Sequence, residues 1–201
     1  VKASIDAAAV WKYTVYILQM GGIAMNYRLA QKTDIDRLVS MAESAKAYFR
    51  ENGIDQWQKG EPNAACMLDA IGRQEIYVLE EDGEVMAMIT IVSGPEPSYA
   101  AIDGAWLNEE PYCAFHRVCV DSEKRGRGLA ARLFSQAEST ARSLGFSNIR
   151  IDTHPDNRSM QRALEKSGFI RCGRLILKDG SEAGDPRLGY QKVLEISSQI
   201  F

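Results

Sequence analysis

Histidine and cysteine are scarce in this chain, and neither falls into spacings that hold a metal. The 201 residues include two His and four Cys, and none of Cys66, Cys113, Cys119 and Cys172 belongs to a C-x-x-C pair. No metal site is therefore expected. Positive charge is not in excess: 24 Lys and Arg stand against 27 Asp and Glu, for a net charge of −3. That balance argues against a nucleic-acid binder working by bulk electrostatics. No apolar run is long enough to span a bilayer. The stretch Val10–Met20 is too short and carries Lys12, so no membrane partner is expected. Internal repeats, linkers and low-complexity segments are missing as well. What is left reads as a reduced, cytoplasmic globular protein, long enough to enclose a sizeable core.

Residues 1–24 precede Met25-Asn26-Tyr27, which reads as a natural start. We read 1–24 as an N-terminal extension or appended segment, 25–196 as one domain and 197–201 as a C-terminal tail. A signal peptide fits poorly, because the segment has no clean small-x-small cleavage site.

From Met25 onward, strand and helix patterns alternate. Tyr27–Ala30 reads as a strand. Thr33-Asp34 then caps a helix with Ile35, Leu38, Val39, Ala42, Ala45 and Phe49 at helical spacing. Pro62-Asn63 opens a second helix, which Gly72 stops. Ile76–Leu79 and Val85–Val92 form a hairpin about Asp82-Gly83. Ser93–Pro111 reads as an irregular loop, and Ala114–Val120 as a strand whose alternation puts His116 on one face with Ala114 and Val118. A helix over Gly128–Leu144, a strand at Ile149–Thr153, a helix at Asn157–Ser167 and strands at Phe169–Leu177 and Leu188–Leu194 complete an α+β order. The strand Leu188–Leu194 and the apolar extension would offer two sheet edges, from which a homodimer is expected.

Chemistry concentrates where the strand Ala114–Val120 runs into Asp121-Ser122-Glu123-Lys124-Arg125-Gly126-Arg127-Gly128 and then into a helix. Glycines let a ligand approach the backbone, and the first helical N–H groups have no partner within the helix. With the helix dipole they suit a phosphate or pyrophosphate, and Lys124, Arg125 and Arg127 add positive charge. A glycine pair before a helix also occurs for geometry alone. Downstream stands Asn157-Arg158-Ser159-Met160-Gln161-Arg162-Ala163-Leu164-Glu165-Lys166-Ser167-Gly168-Phe169.

Together these segments resemble the GNAT superfamily of N-acetyltransferases, over roughly Met25 to Leu194. Arg125-Gly126-Arg127-Gly128-Leu129-Ala130 matches the family's pyrophosphate motif Q/R-x-x-G-x-G/A in one register; in the other, Glu123 replaces the usual Gln or Arg. The segment from Asn157 resembles N-x-x-A-x-x-L-Y-E-K-x-G-F. The resemblance implies a mixed, twisted sheet flanked by helices, whose central strands Ala114–Val120 and Ile149–Thr153 splay apart to admit acetyl-CoA. It further implies that the backbone of Val118, Cys119 and Val120 pairs with the pantetheine arm. The amides from Gly126 through Arg127, Gly128, Leu129, Ala130 and Ala131 would hold the pyrophosphate, with Asn157 near the thiol end. A thiol acyl-enzyme at Cys119 is the minor alternative.

Acetyl transfer needs a group to take the ammonium proton and a donor for the thioester oxygen. The family's usual acid, the Tyr of L-Y-E-K, is Leu164 here, so either the thiolate leaves unassisted or another group serves. Three candidates for the base stand out. Asp152 leads, because some branches of the family keep a catalytic acid residue there. His116 lies on the strand, and His154 sits at the mouth of the splay. Each has a structural alternative: Asp152 pairing with an arginine, His116 as a bonded core residue, and His154 in a turn that caps the next helix.

Tyr48, Gln56, Trp57, Tyr99, Trp106, Glu109, Glu110 and Tyr112 are candidates for the acceptor side, where aromatic and acidic groups suit a cation. The expected activity is acetyl-CoA-dependent N-acetylation of a primary amine on a small molecule, by direct attack in a ternary complex. A protein N-terminal or lysine acetyltransferase and a non-catalytic CoA-binding module are the alternatives.

Overall fold

The computed structural model describes residues 25–195, so the readings of 1–24 and 197–201 lie outside the described residues. The chain runs β1 (Asn26–Leu29), α1 (Ile35–Glu51), α2 (Ala64–Gly72), β2 (Ile76–Glu81), β3 (Glu84–Ser93), β4 (Asp103–Gly104), β5 (Cys113–Val120), α3 (Leu129–Ser143), β6 (Asn148–Thr153), α4 (Arg158–Lys166), β7 (Ile170–Ile176) and β8 (Pro186–Val193). The strands form one sheet in the order β1-β2-β3-β5-β6-β8-β7-β4. Among the described residues only β5 and β6 pair in parallel, as the long crossover through α3 allows. This is the expected α+β mixed sheet.

Local sequence explains most element ends. Asn63 caps α2, its side chain accepting from the Cys66 N–H at 3.1 Å. Asp82 and Gly83 both take positive φ, which is the geometry of the tight turn joining β2 to β3. The Thr33-Asp34 cap is corrected. Asp34 instead accepts from the Gln31 N–H at 2.7 Å and pairs with Arg28, and a short 3-10 turn leads into α1. On α1, Leu38, Met41, Ala42 and Phe49 are buried along one stripe, each large side chain contributing about 1.5–3 kcal/mol.

Two apolar layers sandwich the sheet. On one face Leu133, Phe134, Ala137 and Ala141 of α3 and Leu164 of α4 pack on Ile89, Ile91, Phe115, Val118, Ile149 and Ile151. On the other, α1 and α2 bring Leu38, Met41, Met67 and Ala70 against Val78, Met88 and Cys119.

A bulge in β5 decides which residue faces which layer. Thr90 pairs with His116 and Met88 with Cys119, leaving Arg117 and Val118 together opposite Ile89. Arg117 takes φ +49°, a strained angle for a residue with a Cβ, at a cost of order 1–3 kcal/mol. Past the bulge the alternation slips by one. Val118 joins Phe115 on the α3 side and Cys119 points to α1, so the expected shared face of His116 and Val118 is corrected. Among the expected sheet edges, β8 is interior, lying between β6 and β7.

The central strands do splay. β5 and β6 pair only over Cys113–Phe115 and Ile149–Ile151, while β5 runs on to Val120 and β6 to Thr153. Beyond Phe115 and Ile151 a notch opens between them.

Candidate active site

One wall of the notch leads to the glycine loop. After β5, the Asp121 carboxylate accepts from the Glu123 N–H at 3.1 Å and pairs with Arg37 at 2.5 Å, fixing how the loop leaves the sheet. Gly126 and Gly128 follow at φ +82° and +73°, with nothing within 4 Å of where a Cβ would stand. The angle requires glycine, and the open space leaves the backbone approachable. No side chain caps α3. The Arg132 N–H bonds the Gly128 carbonyl at 3.1 Å, so the amides of Leu129, Ala130 and Ala131 precede the first helical bond. These features fit a pyrophosphate. The three basic side chains are already engaged. Arg127 reaches Glu81 at 2.9 Å, Lys124 lies 3.5 Å from Glu84, and Arg125 stacks on Tyr48 at 4.2 Å.

At the splay itself lies a cavity of about 460 Å³, walled by both central strands, the α1–α2 loop and the β7–β8 loop. His116 and Asp152 line it; His154 does not. His116 Nε2 stands 3.3 Å from Glu96 Oε1, and this contact with the imidazole holds the Glu96 carboxyl below the usual range.

Asp152 is bound on both oxygens. The Tyr99 hydroxyl donates to Oδ1 at 2.7 Å, and Arg187 Nε lies 3.5 Å from Oδ2. Burial and the Asp152 charge push the Tyr99 phenol well above its ordinary value, which makes it a poor proton donor. Arg187, 1% exposed, also donates to Glu182 at 2.6 Å. Glu182 in turn accepts from the Trp57 backbone N–H. A chain of polar contacts thus runs from Asp152 to the α1–α2 loop.

His154 belongs to the turn before α4. Its Nδ1 accepts from the Asp156 N–H at 3.1 Å and its carbonyl from the Asn157 N–H at 3.0 Å. Burial, and then the charge of Arg187, push its pKa down. Asn157 does line the cavity. It caps α4 by accepting from the Met160 N–H at 3.1 Å, and its amide donates to Gln56 at 2.9 Å. Leu164 is buried in the α3–α4 core, so no hydroxyl stands there. Cys119 is buried against α1, and burial pushes its thiol up to about 12, so it stays protonated and inert.

Of the acceptor-side candidates, Gln56, Trp57 and Tyr99 line the cavity. Trp106 and Tyr112 instead sandwich Arg150 at 4.3 and 4.2 Å, and with Glu109 and Glu110 they border a second hollow of about 680 Å³. Glu96, Arg117, Glu182 and Arg187 line the cavity without having been singled out in the sequence. Glu96 and Glu182 sit in loops, and neither has a local pattern that marks it. Among the described residues, no group of three or more His, Cys, Asp or Glu side chains could hold a metal, and no helix is long and apolar enough to cross a membrane.

Comparison with known proteins gives the same picture. Residues 38–169 match the model of the acetyltransferase (GNAT) family. A GNAT-family acetyltransferase structure from Streptococcus agalactiae 2603 is 34% identical, covers 86% of this chain and 96% of its own, and superposes with a TM-score of 0.74. The S-(2-succino)cysteine N-acetyltransferase of Bacillus subtilis strain 168 is 24% identical over 158 residues, 77% of this chain and 89% of that protein. The structure of yncA from Salmonella typhimurium with its cofactor acetyl-CoA shares the fold at 16% identity and a TM-score of 0.61, covering 87% of this chain and 96% of its own.

Proposed function

Because the chain belongs to the GNAT family of acetyl-CoA-dependent acetyltransferases, we propose that it transfers the acetyl group to the primary amine of a small molecule, by direct attack in a ternary complex. The observation that carries this reading is the cavity at the splay, where the notch between β5 and β6 meets the His116–Glu96 pair.

The donor lies along the notch. Among the described residues, the β6-facing edge of β5 has no strand partner past Phe115, so the backbone of Val118, Cys119 and Val120 is free to pair with the pantetheine amides as an added strand would. The amides from Gly126 to Ala131 hold the pyrophosphate, Lys124 and Arg125 turn to it from Glu84 and Tyr48, and Asn157 flanks the thiol end.

His116 is the base this geometry supports best. It faces the cavity with a carboxylate to orient it, whereas Asp152 already holds a phenol and a guanidinium. The acceptor ammonium gives its proton to His116, the amine nitrogen attacks the thioester carbon, the C–S bond breaks as the N–C bond forms, and the surplus proton of the new amide nitrogen passes to the departed thiolate. With Leu164 in place of tyrosine, the CoA thiolate leaves without an acid, which its modest basicity allows. Glu96 stabilises the imidazolium.

A small acceptor is favoured over a protein because the acceptor side is bridged. Lys59 pairs with Asp185 at 2.5 Å and Glu182 binds the Trp57 amide, tying the β7–β8 loop to the α1–α2 loop where a peptide groove would need to be open. The Bacillus relative, named for a cysteine derivative, is in keeping with that choice. We further propose that residues 25–196 act as one domain and that the chain works in the cytoplasm as a homodimer. Light scattering of the full chain would then give twice the monomer mass of 22.4 kDa.

The test is a panel of small primary amines and short peptides with acetyl-CoA, following thiol release. Turnover on small amines and not on peptides is expected. Turnover confined to peptides would overturn the small-molecule reading.

A further inference from the structure

Arg117 stands apart from the other arginines of the described residues. Arg28, Arg37, Arg73, Arg127, Arg150 and Arg187 all have carboxylate partners within 4 Å. The arginines that lack both carboxylate and hydrogen-bond partners are exposed, as at Arg142, Arg158, Arg162, Arg171 and Arg174. Arg117 is half-buried, lines the 460 Å³ cavity, and has neither an ion pair nor a hydrogen bond from its side chain among the described residues.

Its backbone is unusual as well. It occupies the bulge of β5 at φ +49°, and bulges re-aim side chains near functional sites. The neighbouring carboxylate is committed elsewhere: Glu96 bonds His116, and the charge of Arg117 only helps to keep its carboxyl low. A half-buried guanidinium that lines a cavity and has no carboxylate in salt-bridge contact is open to an anion from outside.

We infer that the acceptor carries a carboxylate beside its amine, as an α-amino acid does, and that Arg117 binds it. The guanidinium fork matches a carboxylate with two parallel hydrogen bonds. The phosphates of CoA are not its partner, because Val118–Val120 and the turn after them separate Arg117 from the glycine loop, and the pantetheine arm and thioester carry no negative charge. Arg117 and His116 line the same cavity, so a carboxylate bound at Arg117 would bring the adjacent ammonium into the space the base faces. This inference rests on the acetyltransfer reading only for which end of the ligand reacts.

The test compares matched acids and amines: L-phenylalanine with 2-phenylethylamine, and S-methyl-L-cysteine with 2-(methylthio)ethylamine. Each is titrated by calorimetry into the full chain saturated with CoA, and each is assayed with acetyl-CoA for thiol release. In the wild type, at least one acid should bind about tenfold or more tighter than its amine. Arg117→Gln should weaken that acid by about ten- to a hundredfold while leaving the amine and acetyl-CoA affinities unchanged. Arg117→Asn, which tolerates the left-handed backbone, should do the same and guards against a folding defect. Equal binding of acid and amine by the wild type, binding of no acid, or a loss in both variants that falls equally on amine or acetyl-CoA, would overturn the inference. Arg117-dependent acid binding without thiol release from any member would support the carboxylate site and sink the acetyltransfer reading instead.

Discussion

Glu96 Oε1 lies 3.3 Å from His116 Nε2, which joins the loop before β5 to the strand that edges the notch. If His116 takes the ammonium proton, His116→Gln should lower kcat by roughly 10²–10⁴-fold with acetyl-CoA affinity unchanged. Glu96→Gln should cost less. Asp152→Asn is the contrast. It removes the charge facing Arg187 and leaves one acceptor oxygen where Tyr99 and Arg187 had two, so it should lower stability by about 1–3 kcal/mol and Tm by several degrees, with a smaller loss in kcat than His116→Gln. Full loss of turnover in Asp152→Asn at unchanged Tm, with His116→Gln active, would return the base to Asp152.

Much of this frame is legible in the sequence, and the exceptions share a physical reason. Helices show through their periodic apolar stripe, as with Leu38, Ala42 and Phe49, and the glycine loop shows because only glycine sits easily at the angles of Gly126 and Gly128. The bulge does not show. Arg117 adopts a left-handed angle that its side chain disfavours, and only pairing with β3 and the packing of Val118 under α3 impose it. Reading alternation through it puts Val118 on the wrong face. Tertiary partners are equally silent: nothing local marks Glu96 as the neighbour of His116 or Arg187 as that of Asp152. The place of β8 between β6 and β7 is a matter of topology, which strand patterning leaves open.

Gly128 separates the cofactor site from the fold. At φ +73° with open space around it, Gly128→Val should cost about 1–3 kcal/mol through backbone strain, and it places a branched side chain at the proposed pyrophosphate site. Thermal-shift titration should show a folded protein whose Tm no longer rises with acetyl-CoA. A normal rise in the variant would move the pyrophosphate elsewhere. Dephospho-CoA binding more weakly than CoA, with the difference lost in Lys124→Ala or Arg127→Ala, would assign the 3′-phosphate contact.

His154 sets part of the acid stability. Burial and Arg187 depress its folded pKa, so on acidification the unfolded chain takes up the proton first. The stability it contributes is fully present above the unfolded pKa of about 6.5 and is lost as pH falls through the lower folded value. His154→Asn can still accept from the Asp156 N–H and has nothing to titrate. Its Tm should therefore fall less than that of the wild type between neutral pH and the acid range. Parallel Tm curves for the two proteins would remove His154 from the account.

Glu182 is the residue through which the two acceptor loops are joined, and its effect should fall on the acceptor alone. One oxygen accepts from the Trp57 N–H and the other from Arg187 at 2.6 Å, while Lys59 and Asp185 add a second tie at 2.5 Å. Removing the carboxylate frees the α1–α2 loop, which carries Gln56 and Trp57 into the cavity, and leaves Arg187 with Asp152 as its remaining carboxylate partner. The glycine loop lies at the far end of the notch and shares none of these contacts. Glu182→Ala should therefore raise the acceptor KM by about tenfold or more, the scale of one lost charge-assisted hydrogen bond, while the acetyl-CoA KM stays within error. Glu182→Gln keeps an acceptor oxygen for Trp57 and should recover part of the loss. If both variants raised the two KM values together, Glu182 would be supporting the fold as a whole, and the loops would not be its particular charge.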